Sequence, residues 1–228
     1  MHEPALRRAR VHLALVGAAV ILAVGGCAGP SATPTPIPAA SGSTTDSRSL
    51  GPFTAVSVDG PLNLVLATGA GDTVDVEAAS NLVPLVTTSV SGGQLDVTVA
   101  PPGFASAKPV TVRITSTRVA SVALRGGATG TIEAMGTSLT LSVSGGSTVR
   151  GIGTVGQLTV TALGSSTAEL GDLAAETGMI SAAGGAKVTL RGAKQLTGTI
   201  DGGAIVTLAV APDAKSVTVT GGAQLVLP

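Results

Sequence analysis

The chain has 228 residues, of which 44% are hydrophobic, 11% charged and 1% aromatic, and its formal net charge is zero. Both histidines, His2 and His12, lie near the amino terminus, and the chain has no tryptophan or tyrosine. Beyond His12 the sequence therefore excludes Ser-His and Cys-His nucleophilic pairs and histidine zinc sites. It also lacks the aromatic stacking surfaces and the basic stripe of nucleic-acid-binding proteins, so we expect no nucleic-acid partner.

The amino-terminal segment has the composition of a bacterial export signal. Arginines at positions 7, 8 and 10 precede an apolar run over 13–24, which is shorter than the roughly 20 residues of a transmembrane helix. The sequence Val24-Gly25-Gly26-Cys27 resembles the lipobox, in which small residues precede a cysteine that is diacylated and becomes the new amino terminus. We therefore predict a lipoprotein signal peptide over 1–26 and lipid attachment at Cys27, the only cysteine.

The predicted anchor sets the expected location of the protein. We expect it to be exported and held to the cell membrane by lipid, facing the extracellular or periplasmic side. Residues 28–50 are rich in Pro, Ser, Thr, Ala and Gly and show no apolar periodicity. Such a segment buries too little surface to fold, so residues 27–50 form a predicted lipidated Cys and mobile linker.

Residues 51–228 form the predicted folded domain, and its first part contains short alternating strands. A turn at Ala70-Gly71-Asp72 is expected to reverse the chain into 74–77, and Ser91-Gly92-Gly93 is expected to join strands 86–90 and 95–99 as a hairpin. We predict that this hairpin region caps the open end of a strand stack, because bare strand edges promote aggregation.

The second half contains a repeat of about 19 residues. Its small-residue clusters begin at Gly126, Gly145, Gly164, Gly184, Gly202 and Gly221, which gives steps of 19, 19, 20, 18 and 19 residues. A fixed period of this size is typical of stacked-coil proteins. Apolar and polar positions alternate around each cluster, which indicates half-buried strands.

Two architectures fit this alternation, a β-meander of hairpins and a parallel β-helix. In the β-helix equivalent residues stack at about 4.8 Å, which explains why the third residue of every cluster is small. Those residues are Ala128, Ser147, Ser166, Ala186, Ala204 and Ala223. We therefore predict an all-β fold, a right-handed parallel β-helix or solenoid with an N-terminal β-hairpin cap region. Arg150 and Glu169 are then expected to face each other on adjacent coils, in an exposed pairing worth less than about 1 kcal/mol.

Several short segments carry a resemblance to a known family. They are Phe53-Thr54-Ala55-Val56-Ser57-Val58-Asp59-Gly60, Leu62-Asn63-Leu64-Val65-Leu66, Val74-Asp75-Val76 and Gly93-Gln94-Leu95-Asp96-Val97. The sequence over 53–228 resembles the putative auto-transporter adhesin head GIN domain, a domain of unknown function. The resemblance implies a bacterial surface or envelope β-solenoid, often preceded by a lipoprotein signal, and it supplies no catalytic residues.

We expect a binding role, with a glycan, the cell wall or a surface protein as partner. The outward hydroxyl column Thr129, Thr148 and Thr167 motivates this expectation, although threonine also simply suits exposed strands. The sequence does not assign the ligand-binding residues. A second hypothesis is a purely structural envelope module that assembles through strand edges.

A third hypothesis is a carbohydrate-active β-helix enzyme, which needs at least two neighbouring carboxylates. The candidate acids, Glu133, Glu169, Asp172 and Asp201, are expected to fall in different columns and not to stack in pairs on adjacent coils, so we predict no catalytic site and no enzyme. Asp201-Gly202-Gly203 also lacks the repeat of calcium-binding β-rolls, so neither a metal nor another cofactor is expected.

Overall fold

The computed structural model describes residues 35–106 and 108–228, so the predicted signal peptide and Cys27 lie outside the described residues. The described part forms eighteen strands and one 3-10 turn at Val83–Leu85. The strands are β1 (Ile37–Pro38), β2 (Thr44–Arg48), β3 (Ala55–Asp59), β4 (Leu62–Ala67), β5 (Thr73–Ala78), β6 (Val86–Ser91), β7 (Gln94–Val99), β8 (Phe104–Ala105), β9 (Val110–Thr115), β10 (Ser121–Arg125), β11 (Thr129–Val143), β12 (Thr148–Leu163), β13 (Thr167–Ala183), β14 (Lys187–Leu190), β15 (Ala193–Ile200), β16 (Ile205–Leu208), β17 (Ala214–Val219) and β18 (Gln224–Val226).

The strands stack into two walls that share one core. The first wall contains β2, β5, β9, β4, the first halves of β11, β12 and β13, and then β14, β16 and β18. The second wall contains β6, β7, β3, β10, the second halves of β11, β12 and β13, and then β15 and β17. In β11 the buried positions change from even to odd numbers between Ala134 and Leu139, which marks the bend where the strand passes between the walls.

Successive coils lie in parallel register, as the repeat predicts. Thr129 pairs with Thr148, Thr148 with Thr167 and Thr167 with Lys187, and the ladder continues through Ile205 and Gln224. These offsets equal the spacing of the small-residue clusters, including the longer and the shorter step. The prediction of a β-solenoid is therefore confirmed, with about six turns, and the meander is wrong.

The core is made of the inward columns of both walls. Leucine, isoleucine and valine fill most inward positions, and residues such as Ile132 and Leu170 are completely buried. The predicted small column is also buried at the corner, since Ala128, Ser147, Ser166, Ala186 and Ala204 have no exposed surface and Ala223 is half-buried. Each fully buried aliphatic side chain contributes about 1.5–3 kcal/mol, so the stack is held mainly by these columns.

Glycine pairs, or Gly164-Ser165 in the third cluster, make the corner that precedes each small residue of this column. Gly145 and Gly146 have φ angles of 64° and 77°, in the left-handed region. Side chains with a Cβ rarely adopt such angles, so a glycine pair closes this turn at low cost. A Cβ on Gly145 would also lie 3.1 Å from the backbone nitrogen of Gly126 in the coil below. Close stacking and turn geometry therefore both favour glycine here.

The amino-terminal part joins the stack out of chain order. β3 pairs in parallel with both β7 and β10, and β4 pairs in parallel with both β9 and β11. The predicted hairpin through Gly92-Gly93 is confirmed, because β6 and β7 are antiparallel. The expected reversal at 70–72 is wrong as a hairpin, since β9 and β11 already occupy both edges of β4. β5 instead pairs antiparallel with β9.

Antiparallel strands end the stack at its amino-terminal side. β6 closes the second wall, and β5 followed by β2 closes the first wall. Phe53 and Leu82 are buried beneath this end, with 1% and 0% exposure. The capping role predicted for this region is consistent with that arrangement, because the parallel coils stop where the antiparallel strands begin.

The predicted linker over 27–50 is wrong in part, because two of its segments form strands. Thr44–Arg48 forms β2 and pairs with β5, and the Arg48 guanidinium donates at 3.3 Å to the carbonyl oxygens of Val83 and Val86. Ile37–Pro38 forms β1 beside β8. An edge strand with exposed faces carries no apolar alternation, which is why composition predicted a linker here.

Candidate binding surface

The acidic residues weighed for catalysis are dispersed and exposed. The expectation that all four fall in different columns is wrong for Glu133 and Asp172, because both pair with Ile152 after the register shift in β13. These two acids share a column but lie two coils apart. Asp201 stands at a corner, where its carboxylate accepts a hydrogen bond of 2.7 Å from the amide of Gly202. Across residues 35–106 and 108–228, no three His, Cys, Asp or Glu side chains are grouped so that they could hold a metal.

Arg150 lies opposite Glu169, as predicted, but its ion pair is with Asp172. The Arg150–Glu169 register is observed, whereas the guanidinium Nη2 lies 2.9 Å from Oδ2 of Asp172. The register shifts between Arg150 and Ile152, where Gly171 adds a residue to the longer coil. This irregularity places Asp172 opposite Ile152, within reach of the guanidinium. Both side chains are mostly exposed, so the pair contributes little to stability.

The hydroxyl column expected on the first wall is present. Thr129, Thr148 and Thr167 are in direct register. The column extends into the cap, because the Thr129 hydroxyl donates to Oδ1 of Asn63 at 3.1 Å and Nδ2 of Asn63 donates to the Thr111 hydroxyl at 3.3 Å. The next coil places Lys187 in this column. The first wall therefore mixes hydroxyls with charged side chains.

The second wall carries a wider hydroxyl array, which we call the hydroxyl face. It consists of two neighbouring outward columns over five coils. Their residues are Thr140, Thr159, Met179, Thr197 and Ser216, and Ser142, Thr161, Ser181, Thr199 and Thr218. All but Met179 are serine or threonine, and none is charged. Neighbouring hydroxyls are about 4.8 Å apart across coils and about 6.6 Å apart along a strand.

The hydroxyl face was only partly visible in the sequence. Residues three before each glycine cluster form the column that contains Ser142 and Thr161, and alternation marks it as polar. The column that contains Thr140 and Thr159 lies five before each cluster and consists of serine and threonine except for Met179. Thr140 and Ser142 lie on the same face of one strand in either architecture. The equivalent residues of successive repeats become one surface only in the parallel register, because a meander would place them two strands apart.

The fold is shared with solved structures of other bacterial proteins. A putative adhesin from Bacteroides fragilis is similar with a TM-score of 0.69 and 15% identity, over 84% of this chain and 100% of that one. A putative lipid binding protein from Parabacteroides distasonis is similar with a TM-score of 0.53 and 14% identity, over 85% of this chain and 100% of that one. At these identities the similarity shows the fold alone.

A comparison with curated proteins gave no match. The described residues contain no helix long and apolar enough to cross a bilayer. Residues 52–212, which are more than half of the chain, match the family described as "Putative auto-transporter adhesin, head GIN domain". The resemblance carried by the short strand segments is thereby confirmed, and the chain belongs to this family.

Proposed function

We propose that this protein is a lipid-anchored bacterial envelope protein whose non-catalytic solenoid binds a surface partner through the hydroxyl face. The observation that carries the proposal is the uncharged Ser and Thr array on the second wall. A regular surface of short hydroxyl side chains presents donors and acceptors at low side-chain entropy cost. Membership in an adhesin family supports a binding role at the cell surface.

The partner that suits this face is uncharged and extended, such as a neutral glycan strand of the cell envelope or a flat protein surface. The ten positions of the face carry no charge, and the ion pair Lys194–Glu176 of the same wall lies outside them. The outward columns of the first wall contain the ion pairs Arg113–Glu77 and Arg150–Asp172. The uncharged positions of the hydroxyl face therefore favour a neutral ligand, because a bound charge would have to be desolvated there without a partner.

The dispersed acids support a non-catalytic role. Asp172 is paired with Arg150, and Asp201 is bonded to its own corner. A polysaccharide hydrolase needs two carboxylates that flank one bond. Cleavage of envelope polysaccharide by the purified protein, lost in Asp201→Asn, would contradict the non-catalytic proposal.

A purely structural module assembled through strand edges is less well supported. In β17, Lys215 occupies the inward column that contains Leu158 and Leu196 in earlier coils. An inward-pointing charge is a device that discourages pairing at a strand edge. Among the described residues, Lys215 thus opposes edge-to-edge addition at β17.

The binding face is tested with charge substitutions on each wall. Thr140→Lys with Thr197→Lys places two cations on the hydroxyl face, and Thr131→Lys with Thr189→Lys is the matched control on the first wall. All four positions are exposed strand residues. Both pairs are made together with Cys27→Ser, so that the proposed lipid anchor does not itself retain the protein. We expect the first pair to abolish retention of the protein on isolated cell envelopes and the control to preserve it. Equal retention of both variants would contradict the assignment.

The lipid anchor at Cys27 is proposed from the sequence. The lipobox-like junction and the preceding signal-like segment support it. Cys27 is also the only cysteine of the chain, and a single cysteine in an exported protein fits lipid attachment. Cys27→Ser should move the protein from the membrane fraction to the fraction released by osmotic shock or into the medium. It should also abolish labelling by a palmitate analogue. Unchanged fractionation and labelling would refute the anchor.

A further inference from the structure

A cavity of about 730 Å³ lies at the amino-terminal end of the first wall. Residues 38–43, which we call the strap, form one side of it, and Glu77 of β5 with Thr111 and Arg113 of β9 form the other. Thr111 stands in the outward hydroxyl column, yet it is only 7% exposed. The strap therefore covers a stretch of the wall that would otherwise face solvent.

The strap is held by backbone hydrogen bonds near its amino-terminal end. Ala39 donates to the Ala105 carbonyl oxygen at 3.1 Å. Asn81 clamps the segment on a second side, because its Oδ1 accepts from the Ala40 amide and its Nδ2 donates to the Pro38 carbonyl oxygen, both at 2.8 Å. The strap then continues into β2, which is paired with β5. The cavity is consequently preformed, as small-molecule sites generally are.

The lining combines small apolar residues with one excess positive charge. Pro38, Ala79 and Ala105 are among the apolar residues that line it. Of its charged groups, Arg113 is neutralised by Glu77, with Nε and Oε2 3.3 Å apart. Lys108 also lines the cavity, and no carboxylate of the described residues forms an ion pair with it. The lining of the cavity is therefore mostly apolar, and Lys108 adds one positive charge to it.

We propose that the strap cavity binds a single-chain anionic amphiphile, a fatty acid, with its carboxylate on Lys108 and its alkyl chain against the apolar lining. The volume lies within the range of about 300–1,000 Å³ that is typical for one small ligand. Burial of the chain supplies the affinity, because each methylene removed from water adds to it. The lysine supplies selectivity for an anion. This inference is independent of the role proposed for the hydroxyl face.

The test uses the full chain carrying Cys27→Ser, so that no acyl group of its own competes. Binding of dodecanoate and of the neutral analogue dodecanol is measured by titration calorimetry below the micellar concentration. We expect saturable binding of dodecanoate near one equivalent. Lys108→Ala should weaken dodecanoate binding at least about tenfold, Lys108→Arg should retain it, and neither change should affect dodecanol.

Two further variants make the result decisive. Ala79→Phe should abolish binding of both probes by filling the cavity, and circular dichroism checks that the variant is folded. Lys187→Ala removes an exposed cation of the first wall outside the cavity and should change nothing. Absence of dodecanoate binding would overturn the proposal. Equal weakening of dodecanoate binding by Lys108→Ala and Lys187→Ala would also overturn it. So would binding only to phosphatidylglycerol vesicles, which would indicate a membrane-surface contact.

Discussion

Replacing Ser147 and Ser166 by alanine is expected to stabilise the solenoid. The two residues are neighbours in the corner column, and both are completely buried. Their hydroxyl oxygens have no hydrogen-bond partner within residues 35–106 and 108–228. The same column has alanine at positions 128, 186 and 204, each also fully buried, so the corner accommodates alanine without adjustment.

The magnitude follows from the burial of an unpaired hydroxyl. Leaving such a group without a partner costs about 1–3 kcal/mol in mutational series. Removing the oxygen loses only a few atomic contacts, worth about 0.1–0.2 kcal/mol each. Each substitution should therefore raise the free energy of unfolding by about 1 kcal/mol. The double variant should gain about 2 kcal/mol, apart from coupling between adjacent coils.

The assay is urea unfolding followed by circular dichroism, because the chain has no tryptophan or tyrosine to report by fluorescence. The midpoint should rise at constant denaturant slope, and the melting temperature should rise by about 2–4 °C per substitution. Ser181→Ala is the matched control, since Ser181 is an exposed serine in a neighbouring strand segment. The control should stay within about 0.5 kcal/mol.

A loss of 1 kcal/mol or more in Ser147→Ala or Ser166→Ala would refute this reasoning. It would mean that these hydroxyls are hydrogen-bonded in solution, for example to an internal water molecule. The corner would then be a hydrated channel rather than a dry packed column. An equal change in the free energy of unfolding of Ser181→Ala would instead show that removing any serine hydroxyl has this effect.

Two further predictions concern the coil geometry. Gly198→Ala should destabilise the protein by about 3 kcal/mol or more, because φ is 139° and a Cβ would overlap the Ile180 carbonyl oxygen. Gly136→Ala is the control, because a Cβ there meets none of the described residues within 4 Å, and it should be neutral or stabilising by up to about 1 kcal/mol. If urea unfolding shows the same loss of stability for Gly198→Ala and Gly136→Ala, the close contact between coils at Gly198 is contradicted. Arg150→Ala should cost less than about 1 kcal/mol, and the cost should vanish in 1 M NaCl; a larger, salt-independent loss would show that the Asp172 pair is not a screened surface pair.

The parallel register of the second half could be predicted because each coil contains its own corner. Gly-Gly or Gly-Ser pairs mark where the chain turns, so their spacing measures the length of each coil directly. Even the irregular coil was visible, as the step from Gly164 to Gly184. The partner of Arg150 was not, because Gly171 shifts the register only within that coil.

The amino-terminal arrangement could not be predicted from the same signal. β3 pairs with β10, which lies 66 residues further along the chain (Ala55 with Ser121), and no repeat connects the two. Which coil a segment joins depends on which strand edges remain free after the whole chain has folded. Sequence periodicity records local alternation, and it therefore identified strands here but, apart from the β6–β7 hairpin, not their partners.

Inward and outward columns have different roles, and this difference explains how one repeat can support two different walls. Register is fixed by the apolar columns and the small corner residues, since a shift of one residue would expose the entire core face. The outward residues are consequently free to differ without altering the coil. On the second wall they form the uncharged hydroxyl face beside the Lys194–Glu176 ion pair, and on the first wall they form other ion pairs and the floor of the strap cavity. Two binding surfaces of different chemistry can therefore be built on one stack. Substitutions in one surface should weaken binding of the ligand of that surface and leave binding at the other surface unchanged.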